Sequence, residues 1–125
     1  MKIVTAVVNN PTFIEIQYNT LKKFFKGEYE FIVFNDAKSF PDFTNGGNPT
    51  IKNSIEMLCN KLEITCINIP NEQHKTNDSA SIRTADSMTF ILNYQKQNPD
   101  KYLLLDSDMF LIDYFDINKY SQYDC

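Results

Sequence analysis

Two aspartates near the end of the chain are the residues best suited to chemistry. Asp106 and Asp108 flank one serine and directly follow the apolar run YLLL, residues 102–105. Two carboxylates this close repel each other, so a partly buried pair must take up a proton or bind a cation. Their oxygens suit a hard divalent ion, Mn²⁺ or Mg²⁺, that also takes diphosphate oxygens. The alternative without chemistry is a solvated turn after a strand.

Composition narrows the class of protein. Of the 125 residues, 42% are apolar and 14% aromatic, as in a folded globular protein. This length predicts one domain over residues 1–125. Because the net charge is −4 and the chain has no basic tract, we do not expect a nucleic acid as a partner. A phosphate-bearing ligand would need a metal ion or a local basic group to offset this charge.

The sequence has no pattern of a membrane or disulfide-rich protein. No apolar run approaches about 18 residues, so we expect no transmembrane segment. The start, MKIVTAVVNN, is too short and lacks a cleavage site, so we expect no signal peptide. The three cysteines, Cys59, Cys66 and Cys125, are too few and too scattered for a disulfide framework or a zinc cluster. We interpret Cys59 and Cys66 as small core residues and expect a reducing, cytoplasmic location.

Apolar strands alternate with amphipathic helices along the chain. The β-branched run from Lys2 to Val8 predicts a first strand that is buried on both faces. Asn10 is typical of a helix N-cap and Pro11 of a first helical position, and Gly27 predicts the end of this helix. The apolar stripe of this helix consists of Ile14, Tyr18, Leu21 and Phe25. The same patterns predict later strands at 31–34, 64–70 and 102–105 and later helices at 51–62 and 79–97.

This order of elements predicts an α/β, Rossmann-like fold. We expect a mostly parallel sheet with strand order 3-2-1-4 and helices on both faces. In such sheets, ligands bind at the carboxyl ends of the strands, where the strand order reverses. Asn9, Asn10, Asp36, Asp106 and Asp108 are therefore expected at one edge of the sheet.

Several segments together resemble the nucleotide-binding half of a glycosyltransferase with the GT-A fold. They are KIVTAVVNN at the first strand, FIVFNDA at the second, and SASIRTADS on the helix before YLLLDSDMF. This resemblance implies a nucleotide-diphospho-sugar donor and an acceptor that the sequence does not identify. It also implies a Mn²⁺ (or Mg²⁺) cofactor bound through the DxD motif Asp106-Ser107-Asp108.

The resemblance also implies roles for individual residues. By position, Val8, Asn9 and Asp36 would contact the nucleoside, and Arg83 would approach the diphosphate. Asp106 and Asp108 would bind the metal, with Asp106 also placed to contact the ribose or diphosphate.

Each of these assignments has a simpler alternative. Asp36 follows an asparagine, and Asn-Asp is common in turns. Arg83 is equally explained as a solvated helix charge or as an ion-pair partner of Asp86. His74, the only histidine, is a candidate phosphate donor or base in a polar loop, or a surface residue without a role.

Other enzyme and binding classes fit less well. A haloacid-dehalogenase phosphatase has its Asp-x-Asp after the first strand and Thr or Val two residues later, where this chain has Phe110. A sugar-phosphate nucleotidyltransferase shares the fold and metal but needs a Gly-rich basic loop in place of NNPTF, residues 9–13. A non-catalytic α/β module that binds a metal or nucleotide also remains; a receiver-type module would need an aspartate where residues 68–73 have NIPNEQ.

The position of the DxD motif carries a further expectation. A complete GT-A enzyme continues past this motif with elements that bind the acceptor, whereas this chain has only residues 109–125 there. We expect a truncated, N-terminal part of a longer enzyme that transfers no sugar by itself. The apolar segment MFLIDYF, residues 109–115, should then promote self-association.

Overall fold

A computed structural model describes residues 1–8, 10–37, 49–70 and 80–116. Its helices and strands alternate, which confirms the predicted α/β class with a parallel sheet. In chain order the elements are β1 Lys2–Val7, α1 Thr12–Phe24, β2 Phe25–Lys26, β3 Glu30–Asn35, α2 Pro49–Lys61, β4 Thr65–Asn68, α3 Ala80–Gln97, β5 Tyr102–Leu105 and β6 Phe115–Asp116.

The main sheet has four parallel strands in the order β4-β3-β1-β5. β1 pairs with β3 up to Val7 opposite Asn35, and with β5 up to Thr5 opposite Leu105. The chain advances from β1 to β3 to β4, then returns to place β5 on the other side of β1. The strand order therefore reverses between β1 and β5, and all four carboxyl ends lie at the same edge.

Alternate residues of the sheet pack against helices on its two faces. Ile3 and Val7 belong to the cluster that includes residues of α1 and α2, whereas Val4 packs with Ile91 of α3. This alternation is that of strands buried on both faces. Among the described residues, no helix combines the length and apolar character needed to cross a membrane.

Helix α1 begins at Thr12, one residue after the predicted first position Pro11, and ends earlier than predicted. The N–H of Thr12 donates to Oδ1 of Asn10 at 3.0 Å, and Pro11 already has helical dihedral angles. The predicted end at Gly27 is wrong, because Phe25 is extended and its backbone pairs with Phe115. Gly27 follows β2 with φ of 128°, a conformation that a side chain would disfavour.

β2 and β6 form a separate two-stranded parallel pair that the sequence analysis did not predict. The ring of Phe25 stacks on Phe115 at 5.7 Å and meets the edge of Tyr29 at 5.0 Å. This aromatic contact explains why the chain leaves the helix at Phe25 rather than continuing to Gly27.

The two core cysteines are neighbours on α2 and β4. Cys59 is fully buried and Cys66 packs against it half-buried, and both are free thiols. The hydrogen bond that Cys59 donates to Cys66 raises the pKa of Cys59 and lowers the pKa of Cys66. They lie in the core, as the sequence predicts.

Helix α2 ends in a Schellman motif. The N–H of Ile64 donates to the carbonyl of Cys59 at 2.8 Å, and the N–H of Glu63 donates to Asn60 at 3.2 Å. Glu63 therefore occupies the left-handed C′ position, with φ of 58°. Glycine is the usual residue there, because a β-carbon makes this conformation unfavourable.

Replacing Glu63 with glycine should raise the free energy of unfolding by about 0.5–1 kcal/mol. The gain from relieving the left-handed conformation exceeds the extra backbone entropy that glycine loses on folding. Urea unfolding followed by circular dichroism measures the change. As a control, Met57→Gly lies in the interior of α2 at an exposed position and should destabilise the protein. A loss of stability in Glu63→Gly would contradict this account.

Candidate functional site

Acidic residues follow the two strands that flank β1. Asp36 comes directly after β3 and Asp106 directly after β5, and the N–H of Asp36 donates to the carbonyl of Val7 at 2.8 Å. Since neighbouring strands are about 4.8 Å apart, the two aspartates follow strands about 10 Å apart. The carboxyl edge thus has an acid on either side of β1, next to the point where the strand order reverses.

The DxD motif forms a tight turn. The N–H of Met109 donates to the carbonyl of Asp106 at 3.0 Å, so residues 106–109 close a four-residue turn. The side chains of Asp106 and Asp108 are both exposed. A cation in solvent can therefore reach two carboxylates that are two residues apart on one turn.

A buried glutamine of α1 binds this turn. Nε2 of Gln17 donates to the carbonyl of Asp106 at 2.8 Å and to the carbonyl of Met109 at 3.0 Å. The residue is only 1% exposed. The sequence analysis missed it, although its position between Ile14 and Leu21, on the apolar stripe of α1, was a signal that it faces the core.

The segment after the turn runs along α1. Phe110 contacts Phe13 at 5.4 Å and Tyr114 contacts Phe24 edge-on at 5.5 Å, before Phe115 reaches β2. The apolar side chains of residues 109–115 are thus only partly exposed, through Met109, Ile112 and Tyr114. Self-association through this segment stays a prediction. The apolar surface available for it is smaller than the sequence suggested, because α1 and β2 contact part of the segment.

Asp36 makes a buried contact with α3. Its side chain is 6% exposed, and Oγ of Ser87 donates to its Oδ2 at 2.6 Å. The preceding residue, Asn35, faces the other side of the sheet, where its Nδ2 donates to the carbonyl of Lys52 in α2 at 3.1 Å. Asp36 is therefore more than a solvated turn residue, because it links the end of β3 to α3.

Removing the Asp36–Ser87 hydrogen bond should cost about 1.5–3 kcal/mol, the range for a bond to a charged group. A double-mutant cycle with Asp36→Ala, Ser87→Ala and the double variant isolates this coupling from the other contacts of Asp36. Urea unfolding of the four proteins gives the coupling energy. A value near zero would show that the contact does not stabilise the link between β3 and α3.

The structure places the remaining predicted residues as follows. Val8 follows β1 at the same edge and is 45% exposed. Arg83 lies in the first turn of α3, and its side chain is outside the described part of the chain. Asn9 and His74 lie outside the described residues, so their predicted roles stay predictions.

Two clefts that are lined by described residues lie away from this edge. One, of about 340 Å³, is lined by Tyr18, Tyr29 and Thr65 among others, at the amino ends of β3 and β4. The other, of about 420 Å³, lies between the last turns of α3 and the start of β5. Neither contains the residues that the sequence analysis singled out.

The described residues could bind a metal ion only if a bound diphosphate completes its coordination. In the parts of the chain that the structure describes, no three His, Cys, Asp or Glu side chains are grouped to hold a metal ion. Mg²⁺ is commonly bound by one or two carboxylates, with phosphate oxygens and water completing its coordination. The exposed pair Asp106 and Asp108 could supply the two carboxylates of such a site, and a diphosphate would supply the remaining ligands.

No protein-family model, curated protein or solved structure matches this chain. The resemblance to GT-A glycosyltransferases therefore rests on the sequence motifs alone, and its functional implications stay predictions.

The chemistry open to this edge follows from its groups. It offers two exposed carboxylates on a turn whose backbone is bound by a buried side chain, and a third carboxylate across β1. Oxygen ligands of this kind bind hard cations and, through them, phosphate groups.

Proposed function

We propose that this chain is the nucleotide-binding part of a metal-dependent glycosyltransferase of the GT-A type, with a nucleotide-diphospho-sugar as donor. The observation that carries the proposal is the exposed DxD turn, residues 106–109, at the carboxyl end of β5. It lies beside the reversal of strand order, where α/β sheets bind their ligands.

The DxD turn would bind the metal. Asp108 is the main ligand, and Asp106 is a second ligand or a contact to the ribose. Once bound, Mn²⁺ or Mg²⁺ offsets the negative charge that develops on the leaving nucleoside diphosphate. The chain has a net charge of −4, which disfavours a diphosphate. A divalent cation bound by the two carboxylates would provide the positive charge that a diphosphate needs.

The nucleoside would lie across β1 from the metal. Asp36 marks that side of the edge, about two strand spacings from Asp106, and exposed Val8 lies between them at the end of β1. The Ser87 contact fixes the orientation of the Asp36 carboxylate, which would accept from an imino N–H of uracil or guanine. Arg83, on the same helix, is the proposed diphosphate partner.

Calorimetric titration of the chain with UDP and GDP tests the proposal. With Mn²⁺ present, we expect one of the two nucleotides to bind, and we expect EDTA to abolish that binding. No binding of either nucleotide with Mn²⁺, or an affinity that survives chelation, would contradict the proposed metal-dependent site.

Turnover separates a transferase from the non-catalytic binding module. UDP- and GDP-sugars are incubated with the chain and Mn²⁺, and released nucleoside diphosphate is measured. Release that depends on Mn²⁺ and on Asp108 supports an enzyme. Binding without release is expected both for the binding module and for a part of an enzyme that transfers no sugar by itself, so only release decides between them.

A further inference from the structure

We infer that Gln17 is a positioning residue that sets the conformation of the DxD turn and thereby the placement of its two carboxylates. The importance of this role for ligand binding rests on the proposed function. The contact between Gln17 and the turn is independent of the proposed function and can be tested separately.

The hydrogen bonds of Gln17 fix both ends of the turn. One side-chain nitrogen donates to the first and the last carbonyl of residues 106–109, in addition to the turn's own bond from Met109 to Asp106. Orienting the peptide groups at both ends restricts the dihedral angles between them. Those angles determine where the Cβ atoms of Asp106 and Asp108 point.

Burying the polar side chain of Gln17 is unfavourable unless its hydrogen bonds to the turn compensate. Its Oε1 has no hydrogen-bond partner among the described residues, and burying an unpaired polar atom is unfavourable. Position 17 lies on the same stripe as Ile14 and Leu21, so an apolar side chain would fit the pattern of α1 without that penalty. The two bonds donated to the turn are what an apolar residue could not provide.

The helix that carries Gln17 is itself fixed to the segment that follows the turn. Phe13 contacts Phe110 immediately after the turn, and the pairing of β2 with β6 joins the other end of α1 to residues 115–116. The turn is thus attached to a regular helix at several points. Sites supported by rigid elements keep their geometry more closely than sites on free loops.

Amide protons of the unmodified protein give a first test. If both N–H groups of Gln17 are bonded in the core, their NMR signals should exchange with solvent at least about 10-fold more slowly than those of a solvent-exposed glutamine. Gln97, which is exposed at the end of α3, is the internal control. Equal exchange rates for the two side chains would overturn the inference.

Gln17→Met gives the second test, because it keeps the length of the side chain and removes both donors. We expect hydrogen exchange at the backbone N–H of Met109 to become at least about 10-fold faster, because the turn loses the two bonds that hold its ends. Asn98→Leu is the matched control: it also removes a side-chain amide that donates to a backbone carbonyl, that of Tyr94 at 3.0 Å, but it lies before the amino end of β5, at the opposite edge of the sheet from the turn. Exchange at Met109 should be unchanged in that variant.

Ligand affinity then shows whether the position of the turn matters. In Gln17→Met, affinity for Mn²⁺–UDP or Mn²⁺–GDP should fall about 10-fold, as for other residues that orient metal ligands. Gln17→Leu, a second apolar variant that fits the stripe of Ile14 and Leu21, should show the same loss and replaces Gln17→Met if that variant does not fold.

The outcomes separate this inference from the proposed function. Unchanged exchange at Met109, or unchanged Mn²⁺–nucleotide affinity in a protein that binds these ligands, overturns the role of Gln17. If the unmodified chain binds no Mn²⁺–nucleotide, the proposed function fails, and the exchange rates alone decide whether Gln17 positions the turn.

Discussion

Substituting Asp108 with asparagine should weaken Mn²⁺-dependent binding of UDP or GDP by about 10- to 100-fold. The side chain is exposed on the DxD turn, where a carboxylate oxygen can reach a cation without rearrangement of the core. Asparagine keeps the shape but removes the negative charge that a hard divalent ion prefers. Calorimetry with and without Mn²⁺ measures the loss.

A matched control is available five residues later on the same segment. Asp113 is also exposed and is bonded only to the N–H of Tyr114 among the described contacts, so Asp113→Asn removes one charge away from the turn. It should change the affinity less than about twofold, because screening weakens distant charges. Equal losses in both variants would mean that Asp108 acts through net charge and not as a ligand.

The second large effect concerns the core beneath Asp36. Phe34→Ala should lower the free energy of unfolding by about 3–5 kcal/mol. The Phe34 side chain is fully buried and meets the rings of Phe90 and Tyr94 of α3 edge-on, at 6.2 and 5.4 Å. Its loss removes those contacts and leaves a cavity between β3 and α3. A domain of this size has a total stability of only about 5–15 kcal/mol.

Urea unfolding measures this change, and Phe34→Leu gives a smaller one if the alanine variant does not fold. Leu92 of the same helix is 54% exposed, so Leu92→Ala should change stability by no more than about 0.5 kcal/mol. Comparable losses in Phe34→Ala and Leu92→Ala would show that α3 does not pack on β3 through Phe34.

Local patterns in the sequence were sufficient for the larger elements. The predicted strand at 102–105 has the bounds of β5, and the predicted helix at 79–97 differs from α3 by one residue. β-branched runs and helical spacing determine these elements because each buries a continuous face. The parallel arrangement follows from their alternation.

Contacts between distant residues could not be predicted in the same way. β2 and β6 are two residues each, too short for any periodic pattern, and they pair where Phe25 stacks on Phe115. Gln17 reaches Asp106 across 89 positions of sequence. A polar residue on an apolar stripe indicates burial, but its partner depends on how the whole chain folds.

In the candidate site, too, local sequence predicted the positions of residues but not their contacts with distant parts of the chain. Sequence placed Asp36, Asp106 and Asp108 after strands, and the structure has them at strand ends on one edge. It could not indicate that Asp36 is buried against Ser87 while the DxD side chains are exposed, because these differences depend on the packing of α3 and α1.

The pairing of β1 with β5 also has a kinetic consequence. It joins Lys2 to Tyr102 and Thr5 to Leu105, so the strand that carries the DxD turn pairs with the opposite end of the described chain. Closing so long a loop is entropically costly, and contacts between distant segments slow folding. We therefore expect the turn to reach its place late in folding, after β1 and β3 have paired and α1 has formed the surface that receives it. A substitution that delays the arrival of β5 would slow the recovery of nucleotide binding during refolding, even where the final stability is unchanged.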